Sequence, residues 1–153
     1  MQDNHLQELY QQTILEHNRN PRNFKKIPNA THVAEGYNPL CGDHLFIYMN
    51  VNPQGIIEEI AFEGQGCAIS KASSSMMTAS LKGKSVEYAK TLFTQFHKLV
   101  LRELNPEKDA HDLGKLTVFS GIWQYPSRVK CASLSWHTMK GALEKVKSVS
   151  TEE

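Results

Sequence analysis

Six consecutive residues, Asn38-Pro39-Leu40-Cys41-Gly42-Asp43, put a thiol and a carboxylate two positions apart with only a glycine between them. Pro39 fixes its own φ and biases Asn38 towards extended backbone. Gly42 lets the chain turn so that Cys41 and Asp43 can aim at one point. Two further cysteines follow, Cys67 and Cys131, and the sequence has no fourth. Three thiolates and one carboxylate can form a four-coordinate set for Zn²⁺. Asp43 is a hard oxygen donor that holds a soft metal more weakly than a thiolate does. A Cys₃Asp site is therefore less inert than Cys₄, and an incoming group can displace one ligand, which suits transfer chemistry better than a purely structural role.

Each of these residues also has an ordinary reading. A cysteine in a reducing compartment is often a small buried hydrophobe, and Cys131, in an apolar stripe, fits that description as well as it fits a ligand. Cys67 follows Gly66 at a predicted helix start, where exposed N–H groups and the helix dipole favour a thiolate; Cys131 is expected in about the first turn of the last helix, on similar ground. A Cys–His pair such as Cys67 with His44 has no local signature behind it. His17 and His137 read as helix residues, Ser73–Ser75 as packing and Met76-Met77 as core. Arg128 stands three residues before Cys131, on nearly the same helix face. Its guanidinium can steady a thiolate, a persulfide or a partner carboxylate, or simply be solvated.

The elements that must position these groups are those of one compact domain, expected over residues 1–147 of the 153, with a short polar tail, 148–153, expected to be disordered. Lys plus Arg number 17 and Asp plus Glu 16, a net charge of +1 that makes no electrostatic case for nucleic acid or an anionic membrane. No apolar run approaches membrane-spanning length, and the polar start MQDNHLQELYQQ is no signal peptide, so the expected location is cytoplasmic. There, three cysteines point to metal binding, catalysis or burial rather than to disulfides.

Leu6, Leu9, Tyr10, Thr13, Ile14 and His17 keep helical spacing, which predicts a helix over 4–19 that ends at Asn20-Pro21. Residues 33–38, 45–51 and 56–63 read as strands, the last two joined by the Asn52-Pro53-Gln54-Gly55 turn, although 45–51 alternates only loosely. Helices are expected over 68–81, 85–104 and 127–147, the last with Cys131, Leu134, Thr138, Ala142 and Val146 along one stripe, and a short one over 112–119. Ala72, Ser73–Ser75, Ala79 and Ser80 make the 68–81 helix small enough for close approach to its neighbours. Strands first and helices after predict an α+β fold, a small three-stranded antiparallel sheet with helices packed on one face. The Cys41-Gly-Asp loop joins the first two strands at one end of that sheet.

Three separated motifs, in the same order, resemble the NifU N-terminal/IscU-like family of iron–sulfur cluster assembly proteins: Ile14-Leu15-Glu16-His17 with Asn20-Pro21-Arg22-Asn23; Asn38-Pro39-Leu40-Cys41-Gly42-Asp43; and Phe62 to Ser70 with Ala72 to Met77. The similarity runs from about residue 6 to 146. Within the family the chain is similar to the SufU type. The connection from Cys67 to Cys131 is longer than in IscU, Gln124-Tyr125-Pro126-Ser127-Arg128 replaces the Leu-Pro-Pro-Val-Lys segment that IscU offers its chaperone, and Lys130 stands where IscU has a histidine. The resemblance implies the IscU/SufU-like fold and zinc held by Cys41, Asp43, Cys67 and Cys131. It implies sulfur accepted as a persulfide from a SufS-type cysteine desulfurase by Cys41, the thiol that leaves the metal, and relayed to a SufB-type scaffold. Arg128 matches an arginine implicated in partner activation. The same resemblance also admits a non-enzymatic scaffold, with a labile [2Fe–2S] cluster on the same ligands.

Overall fold

The computed structural model of the chain describes residues 2–151, with side chains from Gln7 onward. Helix α1 (Gln2–Arg19) is followed by strands β1 (His32–Asn38), β2 (Asp43–Val51) and β3 (Ile57–Gln65). Then come α2 (Ala68–Leu81), α3 (Val86–Val100), a 3₁₀ segment (Gly114–Gln124), α4 (Pro126–Leu143) and a short β4 (Ser148–Ser150). The α+β order is the expected one. The Leu6 side chain, part of the predicted α1 stripe, lies outside the described residues.

The sheet runs in the order β3-β2-β1-β4, with β2 antiparallel to both neighbours and β4 parallel to β1. It has one strand more than the three expected, and the fourth comes from the segment expected to be disordered. The free edge of β1 supplies the reason, because it presents unpaired backbone groups that the returning chain can satisfy. Glu35 N–H donates to the Lys147 carbonyl at 2.9 Å, and Thr151 N–H donates to the Tyr37 carbonyl at 3.0 Å. Residues 152–153 of the same tail are outside the described residues.

Strand β2 alternates more strictly than its composition suggests. Asp43, Leu45, Ile47 and Met49 are buried, while His44, Phe46 and Tyr48 on the other face are half-buried. The period of two sends the first set to the face covered by helices. Helix α4 lies across β1 and β2 and α2 lies along β3, while α3 and the 3₁₀ segment pack against α4.

Helix α4 has no single apolar stripe. Residues Cys131 to Trp136 are all buried, as are Thr138, Met139, Gly141 and Ala142, so neighbours surround it. Trp136 stacks on Phe96 with centroids 4.5 Å apart. Its indole N–H donates to Ser73 Oγ at 3.1 Å, and that hydroxyl donates to the Ala132 carbonyl at 2.6 Å. The small residues of α2 thus bring two backbones together and satisfy buried polar groups there. The helix ends before the predicted residue 147: Lys145 turns at φ 63° and Val146, expected on the buried stripe, is exposed. The short helix expected over 112–119 is the 3₁₀ segment instead. Leu113, Leu116, Phe119 and Ile122 are buried at intervals of three, the period of that tighter helix.

Close contact between α4 and β1 depends on Gly36, where an added Cβ would collide with Thr138 Oγ1 and approach Leu134 Cδ1 to 3.2 Å. Gly36→Ala is expected to destabilise the fold by about 1–3 kcal/mol through overpacking. Adding Thr138→Ala, which removes the opposing hydroxyl, should recover part of the loss. Denaturant unfolding of the single and double variants measures both effects.

Candidate metal centre

Strands β1 and β2 form a hairpin whose last cross-strand pair is Asn38 with Asp43, so Pro39 to Gly42 make the connection. Cys41 N–H donates to the Asn38 carbonyl at 3.2 Å, and Gly42 turns the chain at φ 74°. Because Asn38 and Asp43 are paired, both side chains enter the same helix-covered face. They are 0% and 2% exposed, whereas Cys41 at the loop tip is exposed.

Asp43 connects three segments. Its Oδ1 accepts the Cys67 N–H at 2.8 Å, and its Oδ2 accepts the Asn38 Nδ2 at 3.1 Å. A Cβ at residue 66 would come within 2.9 Å of Oδ1, so a glycine before Cys67 is what lets the carboxylate approach. Among the described residues Asp43 has no cationic partner; the ion pairs lie elsewhere, on Glu16, Glu59, Glu63 and Glu35.

Cys67 is the N-cap of α2, and its Sγ accepts the Ser70 N–H at 3.4 Å. The neighbouring Cys131 thiol, donating to it, is the largest cause lowering its pKa to about 7; burial opposes and the Ser70 N–H adds to the lowering. Cys131 responds in the opposite sense, raised by that same hydrogen bond, by burial and by Cys41. It lies in the second turn of α4, not the first, so helix-start N–H groups do not stabilise its thiolate. The Asn38 amide meets it there instead, with Nδ2 donating to Cys131 Sγ at 3.6 Å.

Donor atoms of Cys41, Asp43 and Cys131 all lie within 4.8 Å of one another, and the Sγ atoms of Cys41 and Cys131 are 3.3 Å apart. Cys67 stands outside this three-residue group but touches it through both Asp43 and Cys131. Separations of this size suit ligands of one tetrahedral ion with bonds of about 2.0–2.3 Å. A buried carboxylate beside one buried and one half-buried thiol, with no counter-cation among the described residues, is costly on its own. The donor set therefore fits a divalent, thiophilic metal such as Zn²⁺.

Among the described residues no histidine joins the group. Strand alternation turns His44 away from Asp43 to the opposite face of the sheet, where its Nε2 lies 2.6 Å from Glu35 Oε2 and its ring stacks on Tyr37. His17 bonds Ser75, and His137 packs against Phe93 and His97. Arg128 sits exposed in the first turn of α4, its guanidinium 4.5 Å from the Tyr125 ring centroid rather than on a thiol. In sequence Asn38 stands out only for its backbone, biased by Pro39; in the fold its amide links Asp43 to Cys131, and its Oδ1 accepts the Thr151 hydroxyl at 2.9 Å. The available signal is symmetry about the loop. Residues flanking a four-residue connection face each other, so Asn38 shares the environment of Asp43.

In the metal-free protein the ultraviolet thiolate absorbance should show one thiol ionising near pH 7, that of Cys67. Cys131→Ala removes the main donor to it, so the transition should move up towards the ordinary value of 9.0. An unchanged midpoint would show that the two thiols are independent.

The chain matches the NifU-like N terminal domain over residues 9–132. It is 39% identical over 140 residues to the zinc-dependent sulfurtransferase SufU of Bacillus subtilis, covering 92% of each chain. It is 36% identical over 138 residues to the iron–sulfur cluster assembly scaffold protein IscU of Thermotoga maritima, covering 90% of this chain and 94% of that one. The crystal structure of FiSufU from Fervidobacterium islandicum AW-1 superposes with a TM-score of 0.78 at 31% identity, over 89% of this chain and 97% of that one. A NifU-like protein from Brucella abortus, at 19% identity and a TM-score of 0.79, shares the fold. This chain belongs to the NifU-like N-terminal domain family of iron–sulfur cluster assembly proteins.

Proposed function

We propose that this protein is a zinc-dependent sulfurtransferase that takes persulfide sulfur from a SufS-type cysteine desulfurase and relays it to a SufB-type scaffold. The observation that carries the reading is the division among the thiols: Cys41 is exposed at a loop tip, Cys67 is half-buried and Cys131 is buried. In this reading Cys41, Asp43, Cys67 and Cys131 hold the zinc, and Cys41 is also the acceptor. Likeness to the Bacillus subtilis sulfurtransferase supports it over most of the chain.

The residues divide the work by position. Bound at these ligands, Zn²⁺ would supply Lewis acidity that keeps thiols ionised at neutral pH. The Cys41 thiolate attacks the outer sulfur of the desulfurase persulfide. A sulfur–sulfur bond forms at Cys41, the bond to the desulfurase sulfur breaks, and that sulfur leaves as a thiolate; the proton on the transferred sulfur moves with it. Cys41 can reorient at little cost in its loop, while Asp43, Cys67 and Cys131 stay tied to β2, α2 and α4. Leu40, 63% exposed beside the thiol, offers an apolar contact to the approaching partner. Arg128, exposed on the first turn of α4, assists partner activation.

One observation favours a second reading. The similar Thermotoga maritima protein is named a scaffold, and the same donors can hold a labile [2Fe–2S] cluster.

Metal analysis combined with a desulfurase assay tests the first reading. The purified protein should carry zinc, accelerate desulfurase turnover and acquire alkylation-trapped sulfur on Cys41, located by peptide mass spectrometry. Cys41→Ser should abolish the acceleration. Sulfur mainly on Cys67 or Cys131 would overturn the acceptor assignment. A visible chromophore that survives gel filtration after iron and sulfide reconstitution, with no effect on turnover, would favour the scaffold.

A strong chelator should lower the melting temperature, because bonds joining residues 41, 67 and 131 offset loop-closure entropy. Identical melting with and without chelator would exclude a stabilising metal. Asp43→Ala should remain folded and lose sulfur acceptance, whereas a purely structural zinc site would lose its fold.

A further inference from the structure

Between α1 and the start of α4 lies a cavity of about 510 Å³, within the usual range for small-molecule sites. Two arginines, Arg102 and Arg128, line it, and no aspartate or glutamate does so among the described residues. Each guanidinium lies over an aromatic ring of the same wall: Arg102 is 4.3 Å from the Trp123 centroid and Arg128 is 4.5 Å from that of Tyr125. Stacking holds a guanidinium by its face and leaves its edge N–H groups free to donate in the plane. Neither arginine is in an ion pair among the described residues. Glu107 borders a neighbouring hollow that shares Arg102 and Trp123, but it does not line this cavity.

Two further features point into the same space. The Tyr10 hydroxyl lines the cavity and is buried, with the Arg128 guanidinium as its polar neighbour there. Burial raises its pKa, against the lowering effect of Arg128 beside it. Arg102 has φ 62°, the left-handed region in which a side chain is strained. It follows the C-cap of α3, with Arg102 N–H donating to the Leu99 carbonyl at 3.1 Å and Glu103 N–H to the Lys98 carbonyl at 2.7 Å. That is the position where helices commonly use glycine. Glycine is the less strained residue there, and Arg102 holds this conformation with its guanidinium stacked on Trp123 at the cavity wall.

We propose that this cavity binds a small organic molecule carrying carboxylates, held by the Arg102 and Arg128 guanidiniums with the Tyr10 hydroxyl as a further partner. Planar forks match carboxylates two hydrogen bonds at a time. The Trp123 and Tyr125 rings that orient the arginines also offer an apolar wall to the ligand's carbon body. The site needs no sulfur transfer, and binding is measured without the desulfurase, so this proposal and the preceding one fail separately.

The test titrates the metal-loaded full chain with glutarate and succinate at physiological salt, followed by tryptophan fluorescence, to which the exposed Trp123 contributes beside the buried Trp136, and by calorimetry. Glutaramide serves as the neutral isostere and inorganic phosphate as the competing oxyanion. Saturable binding of a dicarboxylate is expected, with none for glutaramide and weaker binding for phosphate. Arg102→Gly and Arg128→Gln should each weaken it at least tenfold. Arg102→Gly should not lower the melting temperature, since glycine relieves the strained φ, so loss of binding cannot be put down to unfolding. Lys82→Gln, which removes a surface charge from the end of α2, should leave binding unchanged. No saturable binding of either dicarboxylate overturns the proposal. So does equal binding of glutaramide or phosphate, or a loss in Lys82→Gln as large as in the arginine variants.

Discussion

A buried carboxylate with no cationic partner among the described residues is the constraint around which the centre is built. Asp43 is 2% exposed and has two protein donors, the Cys67 N–H and the Asn38 amide. Hydrogen bonds of this kind stabilise a carboxylate but supply no opposite charge. Each donor comes from a different element: the residue before α2, and the end of β1 beside the Cys41 loop. Satisfying one side chain therefore brings two cysteines to the same place. Cys131 arrives from the third direction on α4, and the same Asn38 amide meets it. The arrangement gathers a carboxylate and thiols in one pocket, and a divalent cation there would relieve its cost.

Packing carries this arrangement as much as polar bonding does. Helix α4 presents Cys131 from a helix surrounded by the sheet, α2, α3 and the 3₁₀ segment. It can approach β1 only because Gly36 has no Cβ, and α2 only because Ser73 is small and bonds both the Ala132 carbonyl and the Trp136 indole. Interiors are close-packed and respond to changes of a single methylene. A shift of α4 by a fraction of an ångström thus moves Cys131 relative to Asp43, and core residues far from the thiols help set the geometry of the donor group.

Rigid and adjustable parts meet at this centre. Asp43, Cys67 and Cys131 are anchored in a strand, a helix cap and a helix interior, while Cys41 hangs on the loop that joins two strands. A donor that can move without disturbing the core is what a labile site requires. The cationic cavity beside α4 lies on Arg128's side of the helix, close enough that the charges of Cys67, Cys131 and Arg128 all act on Tyr10. Opposite charges are thus kept on adjoining surfaces of one small domain whose net charge is only +1.

Much of this was legible in the chain itself. Helical spacing located α1 to α4, β-rich runs bounded by turn residues located β1 to β3, and the Cys41-Gly42-Asp43 loop stood out because proline and glycine punctuate it. These are local signals, set by backbone sterics and side-chain period. Tertiary structure decided the rest, because it depends on partners distant in sequence. Ser148–Ser150 has no strand signal of its own and becomes β4 only because β1 leaves an edge to pair with. Helix α4 looks amphipathic at best, and its burial all round follows from what packs on it. Asn38 gains its role from facing Asp43 across the hairpin, and His44 loses one from facing the other way. Residue types identified the donors; the sheet register and the packing of one helix determined which of them meet, since strand alternation gives each side chain only one face.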